Sequence, residues 1–145
     1  MKIAIGNDHN GVILKNKLIH YLKSQNIEVE DFGSYENEKA DYPNYAFAVG
    51  KSIVDGKCNL GILICGTGIG MSIACNKVRG IRCAKVSSID EAKLSKQHNN
   101  ANVIAISSKM PFWKIKKIII EFIKTPFSNE ERHVRRNGLI DNYDD

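Results

Sequence analysis

The sequence predicts an α/β fold: one domain over residues 1–145, built as a Rossmann-like α/β/α sandwich around a five-stranded parallel sheet. Short apolar runs alternate with segments whose apolar residues recur at helical spacing. Successive runs are too far apart for hairpins, so neighbouring strands are expected to be parallel and joined by crossover helices. With 145 residues, 43% of them hydrophobic, the chain can bury one core without metal or disulfide staples.

The predicted elements follow in a regular order. The first unit is a strand at residues 2–5, a polar turn, and a helix whose apolar residues recur from Val12 to Leu22. Alternating residues predict a strand at 27–32, and Pro43 is tolerated in the first turn of a helix that runs to about residue 55. The remaining predicted elements are a strand at 60–64, a helix starting within 71–77, a strand at 81–86, a helix at 88–97, a strand at 102–106, and helices at 112–123 and 132–140.

Charge and composition narrow the class of protein. The net charge is +5, but Asp and Glu are spread among the lysines, which favours a solvated surface over a nucleic-acid footprint. No apolar run is long enough to span a bilayer, and the first residues are typical of a buried strand rather than a secretion signal. The four cysteines lack the close spacing of structural zinc sites, so reduced thiols are expected. We therefore expect a soluble, cytoplasmic protein with no nucleic-acid or membrane partner.

The third predicted strand runs into a glycine-rich loop. Gly66, Gly68 and Gly70 alternate with other residues, and a helix can begin directly behind them. Such a loop lets backbone N–H groups converge on a negative group, and the helix dipole adds to the attraction. The loop lacks the Lys-Ser/Thr ending of a nucleotide P-loop and follows the third strand rather than the first, which argues against a dinucleotide site. The expected ligand is an anion, or an oxygen that becomes negative during a reaction.

Cys65 stands between that strand and the loop. A thiol that faces a helix N-terminus has its thiolate form favoured, which suits a base or nucleophile near neutral pH. A cysteine is also an ordinary buried filler after an apolar strand. The adjoining glycine loop favours a chemical role for Cys65, whereas Cys58, Cys75 and Cys83 have no such setting and are expected to be packing residues.

Two polar pairs are candidates for the same cleft. Asp8 and His9 form the turn after the first strand, and ligands of such folds gather at the carboxyl ends of parallel strands. Asp8 can equally serve as a helix cap. His98 and Asn99 lie just before the fifth strand, where they are either ordinary turn residues or, if they share the cleft with Cys65, an acid/base group and its neighbour.

A basic cluster lies near the end of the sequence. Arg132 and Arg136 are spaced to share one face of a helix, and His133 lies between them in sequence. Guanidinium groups bind phosphate oxygens in pairs, and a histidine adds another donor, so the cluster is a candidate phosphate clamp. The alternatives are a solvated basic stripe or a nucleic-acid patch.

Segments distributed along the whole chain carry a family pattern. They are the Asp8-His9 pair, DYPNYA at 41–46, GILICGTGIGMS at 61–72, GIR at 80–82, the His98-Asn99 pair and RHVRR at 132–136. In this order they resemble the sugar-phosphate isomerase family, which contains type B ribose-5-phosphate isomerases and galactose-6-phosphate isomerase subunits. The resemblance implies a Rossmann-like fold, a homodimer whose active sites are built from both subunits, and no metal or organic cofactor.

The resemblance also implies a reaction and a set of residue roles. Ribose 5-phosphate and ribulose 5-phosphate, of the pentose phosphate pathway, would interconvert through an enediolate, with Cys65 as the base that moves a proton between C1 and C2. His98 would open the sugar ring with help from Thr67. The implied substrate-binding residues are Gly66, Gly68, Ile69 and Gly70 through their backbone at the oxyanion, Asp8 and Asn99 at sugar hydroxyls, Tyr42 at the pocket wall, and His9, Arg132, His133 and Arg136 at the phosphate.

Some positions depart from the family pattern, and alternatives stay open. The segment after the fifth strand reads Ile106-Ser-Ser-Lys109 where the family usually has Leu-Gly-x-Arg, so a bidentate arginine is replaced by a point charge and Lys109 has no assigned role. An isomerase of a six-carbon phosphate, such as allose or galactose 6-phosphate, is one alternative. A non-catalytic phosphosugar-binding module is another, and dimers could pair into tetramers.

Overall fold

The computed structural model describes residues 1–35 and 40–144. Its centre is a five-stranded sheet in the order β2-β1-β3-β5-β4, and every neighbouring pair is parallel. The strands are β1 (Lys2–Asn7), β2 (Glu28–Asp31), β3 (Leu60–Cys65), β4 (Cys83–Lys85) and β5 (Val103–Ser107). The α/β class and the parallel sheet predicted from the sequence are therefore confirmed.

Helices connect the strands. A short 3-10 turn, His9–Gly11, follows β1 and leads into the first α-helix. The α-helices are α1 (Val12–Ser24), α2 (Tyr42–Val54), α3 (Ile69–Cys75), α4 (Ile89–Asn99), α5 (Phe112–Lys124) and α6 (Glu131–Asp141). None of the helices within the described ranges combines the length and apolar content that crossing a membrane requires.

The sheet is covered on both faces because its side chains alternate. Ile62 and Ile64 of β3 pack with residues of α1, α4 and α5, whereas Leu63 and Cys65 pack with α2 and α3. Both sets are almost fully buried. The predicted sandwich is thus realised, and Cys65 belongs to its α2/α3 side.

Strand β4 is shorter than the predicted strand at 81–86. The N–H of Arg82 donates to the side-chain oxygen of Asn102 at 2.9 Å, so a side chain takes the place of a ladder partner there. The N–H of Ile81 donates to the carbonyl of Val78 in a turn. The edge strand therefore pairs regularly with β5 only from Cys83 to Lys85.

The topology creates a cleft at one edge of the sheet. From β1 the chain moves outward to β2 and then returns across β1 to form β3, so the connections leaving β1 and β3 diverge. In open parallel sheets, this reversal point at the carboxyl ends is where ligands bind. The turn at Asp8 and the loop after Cys65 both lie there.

Candidate active site

The Cys65 thiol is held by the loop that follows it. Cys65 is the last residue of β3 and is 6% exposed in the isolated chain. Its Sγ accepts a hydrogen bond from the Gly68 N–H at 3.0 Å. In the same loop, the hydroxyl of Thr67 accepts from the Ile69 N–H at 3.1 Å, and Thr67 itself is exposed. The chain therefore wraps around the sulfur and presents a backbone donor to it.

Two glycines let the loop take this shape. Gly68 has φ +81°, and a Cβ there would lie 3.1 Å from the backbone carbon of Ile106, so both conformation and space require glycine. A Cβ on Gly70 would come within 2.7 Å of the Tyr42 ring. The ring of Tyr42, at the start of α2, therefore lies directly against the loop.

Several amides of the loop remain available for a ligand. Among the described residues, no hydrogen-bond acceptor faces the N–H groups of Gly66, Thr67 and Gly70. They precede or open α3, where the positive end of the helix dipole lies. An oxygen that gains negative charge beside Cys65 would find unused donors there.

Asp8 faces the same edge of the sheet. Its N–H donates to the carbonyl of Ile64 at 3.0 Å, which ties the turn after β1 to the end of β3. The carboxylate is buried and caps the 3-10 turn, accepting from the Asn10 N–H at 2.8 Å and from the Asn10 side chain at 3.3 Å. The Asp8 carboxylate can accept further hydrogen bonds, since its two oxygens together accept about four. His9 is exposed beside it.

A second cluster joins α4 to α6. The rings of His98 and His133 stack with centroids 4.3 Å apart and planes inclined by 13°. The side chain of Asn137 donates to the His98 carbonyl at 3.0 Å and accepts from the Asn99 side chain at 3.3 Å. These contacts bring the predicted acid/base pair and the predicted phosphate clamp together.

His133 is electrostatically unusual. It is 6% exposed, and its Nε2 has no hydrogen-bond partner among the described residues. Burial, followed by the neighbouring His98 and Arg132, lowers the pKa of His133. Arg132 and Arg136 are exposed, and Arg132 donates to Glu130 at 3.1 Å. An anion at this surface would meet two guanidinium groups and an unsatisfied imidazole.

One chain does not bring the two clusters together. Cys65 pairs in register with Ser107 at the carboxyl end of β5, whereas His98 and Asn99 precede Val103 at its amino end. Four strand residues separate these ends by about 13 Å at ~3.3 Å per residue. The expectation that His98 and Asn99 share the cleft of Cys65 is therefore not met within a single chain.

The structure gives roles to two residues to which the sequence analysis assigned none. Arg82 donates through Nε to the Asn99 carbonyl at 2.7 Å and pairs with Asp141 of α6 at 2.5 Å. Arg82 therefore connects the end of α4 to α6 beside the second cluster. Asn137 was detectable, because it lies four residues after His133 on the same helical face. Arg82 lies in the GIR segment at 80–82 that carries the family pattern, but its structural role was not detectable, because its partners are distant in sequence.

The described residues contain no group of three His, Cys, Asp or Glu side chains placed to hold a metal ion. Among the described residues, three surface cavities of about 450 to 550 Å³ lie away from both clusters, whereas a smaller one of about 290 Å³ is lined by Arg82 and Asn99. One of about 450 Å³ is lined by Tyr21, Trp113 and Lys117. A pocket around Cys65 therefore needs a wall that these cavities do not supply.

Comparison with known proteins decides the family. Residues 3–140 match the Ribose/Galactose Isomerase family. The chain belongs to this family. Both clusters fall within the matched range, and the resemblance stated from the sequence is confirmed.

Individual members of the Ribose/Galactose Isomerase family are similar over most of their length. Ribose-5-phosphate isomerase B of Escherichia coli is 44% identical over 120 residues, which is 83% of this chain and 80% of that protein. The structure of a ribose 5-phosphate isomerase from Thermotoga maritima has a TM-score of 0.94 at 45% identity and covers 98% of both chains. Ribose-5-phosphate isomerase B of Mycoplasma genitalium, solved with bound ribulose-5-phosphate, has a TM-score of 0.92 at 40% identity, covering 98% of this chain and 95% of that one.

Proposed function

We propose that the protein is an aldose–ketose isomerase that interconverts ribose 5-phosphate and ribulose 5-phosphate. The observation that carries this proposal is the Cys65 thiol beside a loop with unused N–H donors, at the reversal point of a parallel sheet. The Mycoplasma genitalium relative, solved with bound ribulose-5-phosphate, supports the choice of substrate. The reaction needs a base near C1 and C2 and a site for a negative oxygen, and this loop offers both.

In the proposed reaction, the Cys65 thiolate removes the proton from C2 of the open-chain aldose. The electron pair forms the C1–C2 double bond of the enediolate, and the C1 carbonyl oxygen becomes negative. Backbone N–H groups of the loop, from Gly66 to Gly70, stabilise that oxygen, an interaction that often supplies the largest share of a barrier reduction. The hydroxyl proton on the C2 oxygen then passes to the negative C1 oxygen, the thiol returns its proton to C1, and the oxygen on C2 becomes the carbonyl of the ketose.

The remaining catalytic and sugar-binding roles follow the chemistry of each side chain. His98 transfers protons during opening of the furanose ring, and the exposed Thr67 hydroxyl assists. Asp8 accepts hydrogen bonds from sugar hydroxyls, and Asn99 orients another hydroxyl. Tyr42 forms the wall of the pocket, as its packing against Gly70 supports.

The phosphate is held at the end of the sugar remote from the reacting carbons. Arg132 and Arg136 bind its oxygens, the unsatisfied Nε2 of His133 supports a third contact, and His9 reaches it from the turn after β1. Binding energy gathered there positions C1 and C2 against the Cys65 sulfur.

The proposed enzyme acts as a homodimer, with the His98 cluster of one copy facing the Cys65 cluster of the other. The opposite placement of the two clusters supports this arrangement, because a two-fold axis can bring the amino edge of one sheet to the carboxyl edge of its partner twice. Ile69 and Ile73 on α3 are 54% and 64% exposed in the isolated chain and supply apolar surface beside the site. The proposed dimers can in turn pair into tetramers.

The proposed compartment is the cytoplasm. All four cysteines are free thiols, which supports a reducing environment. The proposed catalysis uses neither a metal nor an organic cofactor, so EDTA is expected to leave the turnover rate unchanged.

The deciding experiment is a coupled assay of ribose 5-phosphate isomerisation with wild type and Cys65→Ala. We expect Cys65→Ala to lower kcat by at least ~1000-fold while a sugar phosphate still binds, because removal of the base leaves the phosphate contacts intact. Cys58→Ala, which alters another buried thiol, is the matched control and keeps wild-type turnover. Phosphosugar binding without turnover by wild type would instead establish a binding module.

A six-carbon substrate is the second candidate, because the matched family includes galactose as well as ribose isomerases. The same assay with allose 6-phosphate and galactose 6-phosphate separates the two. The proposal predicts a higher kcat/KM for ribose 5-phosphate. A higher value for either six-carbon sugar would reassign the substrate without changing the role of Cys65.

A further inference from the structure

The hydroxyl of Ser107 links the ends of two neighbouring strands. Ser107 is the last residue of β5, and its Oγ donates to the carbonyl of Gly66 at 2.7 Å. The same oxygen accepts from the Lys109 N–H at 3.2 Å. The Ser108 N–H also donates to the Cys65 carbonyl at 2.9 Å. The segment after β5 is therefore attached to the glycine loop by a side chain as well as by the backbone.

The bond to Gly66 fixes the direction of an N–H group. In a trans peptide the carbonyl and the following N–H point in opposite directions. The Gly66 carbonyl points toward β5, where Ser107 lies, so the Thr67 N–H points away from β5. The strand on the other side of β3 is β1, whose turn carries Asp8. The Thr67 N–H is therefore directed toward the proposed substrate cleft, and it has no acceptor among the described residues.

We infer that Ser107 is a positioning residue for the oxyanion loop. Its hydroxyl holds the Gly66–Thr67 peptide in the orientation that aims the Thr67 N–H at the negative oxygen of the enediolate. This inference rests on the proposed isomerase activity. Ser107 touches neither substrate nor the reacting sulfur in this role, and it acts entirely through the peptide.

The effect is expected on the reaction step rather than on substrate binding. The enediolate oxygen carries more negative charge than the ground-state carbonyl, so a displaced donor costs more in the transition state than in the complex. Without the hydroxyl, the Gly66 carbonyl is free to rotate toward water, because glycine offers little resistance to backbone rotation. A fall in kcat with a nearly constant KM is the expected pattern.

The test compares Ser107→Ala with Ser107→Thr and with Ser108→Ala. Ser107→Ala removes the hydrogen bond to the Gly66 carbonyl, whereas Ser107→Thr keeps a hydroxyl on the same carbon. Ser108→Ala removes the adjacent hydroxyl, for which no hydrogen bond to the loop is found among the described residues. Each variant is assayed for kcat and KM with ribose 5-phosphate and for inhibition by a hydroxamate analogue of the enediolate. Thermal unfolding of each variant is measured in parallel.

We expect Ser107→Ala to lose roughly tenfold in kcat and in hydroxamate affinity, with KM and unfolding temperature close to wild type. Ser107→Thr should recover most of both losses, and Ser108→Ala should behave as wild type. Equal kcat in Ser107→Ala and wild type would overturn the inference, as would a loss that Ser107→Thr does not restore. A wild-type chain without turnover would contradict the proposed function instead, independently of these variants.

Discussion

The burial and charge of some side chains in this protein depend on partners that are distant in sequence. Lys15 is 1% exposed, although its position in α1 reads as an ordinary surface lysine. Its ammonium pairs with Asp31 at 3.1 Å and donates to the carbonyl of Ser34 at 2.6 Å. A buried ammonium needs such partners. The sequence could not supply this pairing, because it depends on how α1 lies against the end of β2.

His133 gives a pH dependence at the residue scale. Burial and His98 lower its pKa in the folded protein, so the unfolded chain takes up a proton at a higher pH, near the ordinary value of 6.5. The folded state is then disfavoured as pH falls through that value, and its stability rises again as pH increases. The loss of folding stability due to His133 is complete once the pH is below the lowered pKa of His133 in the folded protein.

We therefore predict that His133→Gln flattens the dependence of the unfolding temperature on pH between about 5 and 8. His20→Gln, which alters an exposed histidine on α1, is the matched control and should keep the wild-type slope. Unfolding followed by circular dichroism across this range checks the prediction. An unchanged slope in His133→Gln would show that His133 does not titrate differently on folding.

Single elements were predicted most securely where pattern and packing agree. Strand β3 could be predicted because a continuous apolar run is what a strand buried on both faces requires. The glycine loop could be located because only glycine suits the conformation at Gly68. The start of β4 could not be predicted, because the side chain of Asn102, twenty residues away from Arg82, replaces a ladder bond there.

Gly68 and Gly56 form a matched pair for testing the loop. Both have positive φ, +81° and +73°, but a Cβ at Gly68 would meet the backbone of Ile106, whereas nothing lies within 4 Å of one at Gly56. Gly56→Ala should cost about 1 kcal/mol of unfolding free energy from backbone strain alone. Gly68→Ala should cost more.

Activity separates the two variants more sharply than stability. Because Gly68 also donates to the Cys65 sulfur, Gly68→Ala should lower kcat by about 100-fold, whereas Gly56→Ala should leave it unchanged. Urea unfolding and the isomerase assay measure the two effects. Wild-type kcat in a folded Gly68→Ala protein would contradict the role given to the loop.

The arrangement of the whole molecule separates the two candidate clusters. Sequence motifs identified both sets of residues, but they did not show that the sets lie at opposite edges of the sheet. The order of residues and strands in the sequence did contain this information. A residue directly before a parallel strand lies at the amino edge of the sheet, while one directly after it lies at the carboxyl edge. In the proposed dimer, the contact between the two edges depends on the docking of two folded copies, which local sequence patterns do not specify.

In the proposed dimer, Cys65 of one copy and His98 of another act in the same site. Cys65→Ala and His98→Asn each disable one cluster, and each protein alone should lose most of its ribose 5-phosphate isomerase activity. Unfolding them together and refolding the equal mixture lets chains exchange, and each mixed dimer then holds one intact site.

The measurement is the isomerase activity of that refolded mixture. We expect recovery to about one quarter of wild-type activity, because about half of the dimers are mixed and each has one working site of two. Both parents refolded separately, and shown to be dimeric by light scattering, provide the baseline. A mixture of exchanging dimers that is no more active than its parents, or a His98→Asn protein as active as wild type, would contradict the claim.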